Sequence, residues 1–274
     1  MIGINLRRLA RAALYKIGIA PDLKARVEQL ELLLTEYPDV AMGSLSPGAF
    51  PSPAVSIILP SWNRAGLVTD AIRSVQAQRF ADWELLLIDD GSTDTTAQVV
   101  APFLSDARIR YIPQAHGGQC TARNQGLRLA RGALIAYLDS DNLWYPNFLA
   151  GAVAAFAADP EMLSAYGALV MEPRLTAGIR ILFKPFSRQR LQKSNFIPIS
   201  VFVHRKSLFD RWGGFDETLK VLEDWDLVLR YTQEAPAHRL PFLAARQRAL
   251  DTQRVSLLPQ GQDFRKVARK WSRA

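Results

Sequence analysis

The chain is nearly devoid of cysteine. Cys120 is the single one among 274 residues, so an internal disulfide is excluded, as is a zinc site built on several thiolates. That usage fits a reducing compartment. Histidine is scarce too, with three in all, and isolated ones such as His204 and His238 are more often ordinary polar residues than ligands. Long apolar runs are missing. No segment approaches the ~20 apolar residues of a membrane helix, and the opening MIGINLRRLARAALYKIGIA is broken by Arg7, Arg8, Arg11 and Lys16, which argues against a signal peptide. The expectation is a cytoplasmic protein, soluble or peripheral on the inner face of a membrane. Also missing are a zinc finger, an RNA-binding aromatic signature and a basic-region zipper. The net charge of +8 therefore does not imply nucleic acid. The basic excess is prominent at the ends, in the first 26 residues and in Arg265 to Arg273.

What is present suffices for a sizeable core, since 49% of residues are hydrophobic. Residues 1–40 read as a helical, basic amphipathic extension. Ile2, Leu6, Leu9, Ala13 and Ile17 share one side, and Leu23, Val27, Leu30, Leu34 and Tyr37 follow at helical spacing. Such a stretch suits an anionic membrane surface, packing on the main domain, or self-association into a homo-oligomer. Residues 41–54 are a Gly/Ser/Pro-rich linker. Beyond it the pattern alternates. VSIIL (55–59), ELLLI (84–88), Arg108 to Ile112 and Leu134 to Leu138 read as strands. Between them, helical spacing runs through Leu67, Ala71, Ile72 and Val75, through Ala97, Val100 and Leu104, and along Gln119 to Arg131, closed by Gly132. Apolar strands without polar alternation imply a parallel sheet covered on both faces, whose ligands bind beyond the strands' carboxyl ends.

The polar clusters fall at those ends: Pro60-Ser61-Trp62-Asn63-Arg64 after the first strand, Asp89-Asp90-Gly91-Ser92 after the second, Asp139-Ser140-Asp141-Asn142 after the fourth. Singly, each is most simply a turn or a helix cap. As an ordered set the balance changes. VSIILPSWNRAG, ELLLIDDGSTDTT, GGQCTARNQGLRLARGALIAYLDSDN and GGFDETLKVLEDWDLVLR together resemble the family 2 glycosyltransferases, over about residues 55–256. The resemblance implies an α/β domain of GT-A type over 55–256: a mostly parallel central sheet with helices on both faces, a Rossmann-like nucleotide-binding half and an acceptor-binding half. N-terminal helices precede it, and residues 257–274 are left as a basic C-terminal tail.

The family implies a nucleotide-diphosphate sugar donor, a glycan or other hydroxyl acceptor, and Mg²⁺ or Mn²⁺, hard cations that take carboxylate and phosphate oxygens. Asp141 is the preferred metal ligand. Asp139 assists as a second ligand, through the ribose or through a metal-bound water, and Ser140 lies between them. Asn142 stands where many relatives carry a third acid. The nucleotide is expected across Pro60, Ser61, Trp62, Asn63 and Arg64, with Asp90 accepting from a base N–H and Gly118 beside the phosphates. Trp62 offers a stacking ring or is a packing aromatic; Arg123 reaches a phosphate or the base, or faces water. Asp224 is the candidate general base, with Glu223 beside it, and both also suit the positive end of a helix. By the same resemblance, one base and one metal-held leaving group go with direct displacement and inversion at the anomeric carbon. Gly213-Gly214 shapes a turn nearby. Two rivals are a sugar-1-phosphate nucleotidyltransferase, which wants a Gly-rich loop where PSWNRAG stands, and a catalytically silent binding scaffold.

Overall fold

The computed structural model describes residues 53–172, 180–248 and 261–271, all within the unit Met42–Ala274. The N-terminal helices expected over 1–40 and nearly all of the linker lie outside the described residues.

Strand β1 (Val55–Ser61) is almost wholly buried, and β2 (Trp83–Asp89) is buried throughout. Both sheet faces are therefore covered, as runs of Val, Ile and Leu require. The two pair in parallel from Val55 opposite Trp83 to Ser61 opposite Asp89. Helix α1 (Ala65–Gln76) joins them and buries Val68, Ala71, Ile72 and Val75, one apolar stripe at helical spacing. After β2 come the short α2 (Thr96–Val100), a 3₁₀ turn over Ala101–Ser105, and β3 (Ile109–Pro113), which pairs parallel to β2. Helix α3 (Gln119–Leu129) then returns the chain to β4 (Leu134–Tyr137), parallel on the other side of β1. The four expected strands are all present, in the spatial order β3-β2-β1-β4. Helix α3 is shorter than its sequence pattern, because Ala130 is already extended. Gly132 is not its left-handed cap: a Cβ there would lie 2.5 Å from the Ser56 nitrogen, so the glycine serves a close approach of two backbones.

The second half adds β5 (Asn142–Trp144), α4 (Phe148–Ala158), β6 (Ser164–Met171), β7 (Arg180–Leu182), α5 (Arg188–Leu191), β8 (Phe202–Arg205), α6 (Lys206–Trp212), α7 (Glu223–Tyr231), β9 (His238–Gln247) and α8 (Gly261–Trp271). The result is a nine-stranded sheet in the order β3-β2-β1-β4-β8-β6-β9-β5, with β7 on β6. Its long registers are parallel, and the antiparallel pairings of β4 with β8, β6 with β8, β6 with β7 and β5 with β9 are short. This is the expected mostly parallel α/β architecture.

Two features depart from the sequence reading. Residues 261–271, read as part of a tail, form a helix that buries Asp263, Val267 and Trp271 against the domain. His204 is fully buried on β8, where Nε2 lies 2.9 Å from the Tyr137 hydroxyl and burial pushes its pKa down to about 4. It is a neutral core histidine. At the amino ends of the strands, Glu84 accepts from the Ser56 hydroxyl at 2.7 Å and from the Arg131 backbone at 2.8 Å. That network fastens the bottom of the sheet and leaves the opposite rim to the polar loops.

Candidate active site

The loops at the carboxyl ends of β1, β2 and β4 border one cleft of about 1110 Å³. Pro60, Ser61, Trp62, Arg64, Asp90, Gly118, Arg123, Asp139, Ser140, Asp141, Glu223 and Asp224 all line it. Asn63 alone of the expected set does not. It takes a left-handed backbone (φ 51°), its Oδ1 accepts the Thr93 N–H at 2.8 Å, and its own N–H donates to Ser92 Oγ at 2.9 Å. Its visible work is to join the first loop to the second.

Trp62 is 47% exposed at the cleft, which argues against the packing reading. Its ring stacks on His116 at 4.4 Å between centroids. His116 is held in turn by Asp90, with Nδ1 2.9 Å from Oδ2. The Asp90 carboxylate also accepts from Gln114 Nε2 at 2.7 Å and from the Gly117 and Gly118 N–H groups at 2.9 and 2.7 Å. Asp90 thus fixes the loop that leads into α3, and a base N–H would share oxygens already engaged. Gly118 sits at φ 91° with nothing near its missing Cβ, so backbone conformation, not space, calls for glycine there.

Arg123 does not face water: it is drawn into the wall of the cleft between two carboxylates. At 3% exposure, its Nη1 donates to Glu223 at 2.7 Å and its Nη2 to Asp139 at 2.8 Å. Burial opposes the charge, but the carboxylates of Asp139 and Glu223 outweigh it and raise the guanidinium pKa. Asp139 is further held by the Ser200 hydroxyl at 2.8 Å and by Asn142 Nδ2 at 3.3 Å. Asp141 lines the cleft next door, its backbone carbonyl accepting from Arg248 Nε at 3.1 Å.

Asp224 lies in the first turn of α7, where it accepts the Trp225 N–H at 2.7 Å. Burial, reinforced by the charge of Glu223, pushes its pKa up to about 7 despite the opposing Arg123. A carboxyl poised near neutrality is suited to taking up a proton. Asp139 and Asp141 also fit a divalent cation, as carboxylate oxygen donors. Among the described residues no group of three or more acidic, histidine or cysteine side chains is clustered to hold a metal by itself. Asp141 and Asp139 would therefore supply part of a coordination shell, with phosphate oxygens needed to complete it.

A family model described as glycosyl transferase family 2 matches residues 56–212. The chain belongs to that family. This glycosyltransferase is 33% identical over 200 residues to WcaA of Escherichia coli K12, a protein named for colanic acid biosynthesis, with 67% of each chain covered. It is 45% identical over 96 residues to the E. coli WfgD, named as a UDP-Glc:alpha-D-GlcNAc-diphosphoundecaprenol beta-1,3-glucosyltransferase, covering 35% of this chain and 38% of that one. Its fold resembles Staphylococcus aureus TarS in complex with UDP-GlcNAc (TM-score 0.65, 21% identity, 78% of this chain and 64% of that one). It also resembles a mannosyltransferase of Pyrobaculum calidifontis in complex with GDP-Man and Mn²⁺ (TM-score 0.52, 20% identity, 80% and 62%). At those identities the two structures speak for the fold alone. Among the described residues no helix is long and apolar enough to cross a membrane.

Two cleft residues, His116 and Phe264, and a neighbour of Asp139, Ser200, escaped the sequence reading. His116 precedes the Gly-Gly pair without marking itself, and Ser200 is one hydroxyl in an apolar stretch, PISVF. Phe264 was lost in the basic character of its segment.

Proposed function

We propose that this family 2 glycosyltransferase moves a sugar from a nucleoside-diphosphate donor to an acceptor hydroxyl, with inversion, in the building of a cell-surface polysaccharide or related glycoconjugate. The observation that carries the reading is the convergence of Trp62, Asp139, Asp141 and Asp224 on one cleft. Trp62, backed by His116, offers a stacking face to the base. Asp141, helped by Asp139, would hold Mg²⁺ or Mn²⁺, which when bound supplies positive charge against the charge developing on the leaving diphosphate. Asp224 takes the acceptor proton as the new C–O bond forms, so one displacement suffices and no covalent intermediate is needed. Arg123 keeps Asp139 and Glu223 in place on either side of that reaction.

The relatives named for colanic acid synthesis and for a diphosphoundecaprenol-linked acceptor support the polysaccharide context. The basic stretch around Arg7, Arg8 and Arg11 would then dock the enzyme on anionic lipid. The deciding experiment is hydrolysis of UDP-, GDP- and dTDP-sugars with and without Mn²⁺. Turnover with one nucleotide that needs the metal and is abolished in Asp141→Ala supports the reading; metal-independent turnover, or none with any donor, overturns it.

A further inference from the structure

Among the described residues three large hydrophobic side chains are exposed: Trp62, Leu104 and Phe264. Trp62 and Phe264 line the same cleft; Leu104 does not. Trp62 belongs to the loop that Asp90 and His116 organise, whereas Phe264 packs on Trp225. It stands on α8 at 44% exposure, its ring 5.4 Å from Trp225, the residue that follows Asp224.

The ring is held by its backbone. Asp263, the preceding residue, accepts the Lys220 and Val221 N–H groups at 2.8 and 3.0 Å. Trp271 Nε1 donates to the buried Asp226 at 2.9 Å, and Lys266 Nζ to the Thr218 carbonyl at 3.2 Å. Helix α8 is thus fastened to α7 and to the segment before it while Phe264 faces the cleft. A phenyl ring fixed by such ties loses little freedom when a ligand covers it. The cleft also carries polar Ser194, Asn195, Glu217 and Lys220. An acyl or prenyl chain would want a continuous apolar track, but among the described residues Phe264 and Trp62 are the only large hydrophobic side chains exposed on this cleft, while Leu169, Ile199, Leu219, Val221 and Trp225 line it from buried positions. One ring-sized apolar face among hydrogen-bonding groups matches a pyranose, which has an apolar C–H face and an equatorial belt of hydroxyls.

We infer that Phe264 is the platform of the acceptor subsite, and that the acceptor group it receives is a saccharide ring rather than a lipid chain or a protein side chain. The inference rests on the transfer reading above, deepening it from an acceptor hydroxyl to a sugar hydroxyl delivered to Asp224.

The test uses the full chain and three probes without aromatic or lipid groups, the methyl glycosides of glucose, galactose and N-acetylglucosamine. Saturation-transfer NMR should show protein contact with the ring protons of at least one. That contact should vanish in Phe264→Ala and persist in Phe264→Tyr, which keeps the ring. In transfer assays Phe264→Ala should raise the acceptor KM on the order of tenfold, the worth of one aromatic stacking contact, with the donor KM held. Contact unchanged in Phe264→Ala, no contact with any glycoside, or transfer to a Ser/Thr peptide in preference to the glycosides would overturn the inference. Absence of Mn²⁺-dependent donor hydrolysis would instead sink the transfer reading, and the NMR contact would still decide whether Phe264 receives a sugar.

Discussion

At the residue scale, Asp224 shows what the proposed base would cost in stability. Its folded pKa of about 7 lies above the ordinary 3.8 because burial, then Glu223, penalises the charge. A carboxyl raised on folding contributes stability that is present below pH 3.8 and is lost as pH rises through about 7. Asp224→Asn removes that loss. The variant should match the wild type in melting temperature near pH 4 and exceed it at pH 8. Its transfer rate should fall ~10²–10⁴-fold, the usual worth of a positioned base, and wild-type kcat/KM for the acceptor should climb with pH through about 7. A thermal-melt series beside a pH-rate profile checks both, and a transfer rate unchanged in Asp224→Asn would remove Asp224 from the chemistry. Arg123 behaves in the opposite sense. Arg123→Ala leaves Asp139 and Glu223 facing each other without their shared cation, so stability should drop by about 3–5 kcal/mol, measurable by urea denaturation.

At the scale of elements, the sequence shows local things well and remote things poorly. Strands β1 to β4 were legible as apolar runs, and the rim loops because the first, second and fourth runs are each followed directly by a polar cluster. The pairing of Arg123 with Asp139 and Glu223 was not, since those partners come from the loop after β4 and from α7 and share no pattern with α3. Helix α8 had a signal that charge concealed: Phe264, Val267 and Trp271 recur at helical spacing among five basic residues, Arg265, Lys266, Arg269, Lys270 and Arg273. Its anchor makes the next prediction. Asp263→Ala strands the Lys220 and Val221 N–H groups, at a cost of about 1–3 kcal/mol. Burial works against the Asp263 charge, but those two N–H groups win and hold its pKa below 3.8. Its stabilisation is therefore present above pH 3.8 and fades as pH falls through the depressed value. The stability gap between Asp263→Ala and wild type should accordingly narrow in acid, a comparison that melts at pH 3 and pH 7 can make.

Across the whole molecule, the two ends of the sheet divide the labour. Ser56, Glu84 and Arg131 satisfy one another at the amino ends, while the carboxyl ends carry oxygens and rings that line the cleft. On the proposed reading such a cleft is incomplete alone: Asp141 and Asp139 would provide fewer donors than a hard cation takes, and the exposed Trp62 has His116 behind it and a cleft before it. Metal and donor should therefore stabilise the fold together more than either does separately, because diphosphate oxygens fill the coordination that the protein leaves open. For a ligand that binds only the native state, saturation at 100 times Kd adds about 2.7 kcal/mol. Thermal shift with the productive nucleotide-sugar and Mn²⁺ should thus exceed the sum of the separate shifts by several °C, and Asp141→Ala should reduce the combined shift to that sum. A simple sum in the wild type would mean that metal and diphosphate bind without sharing a site.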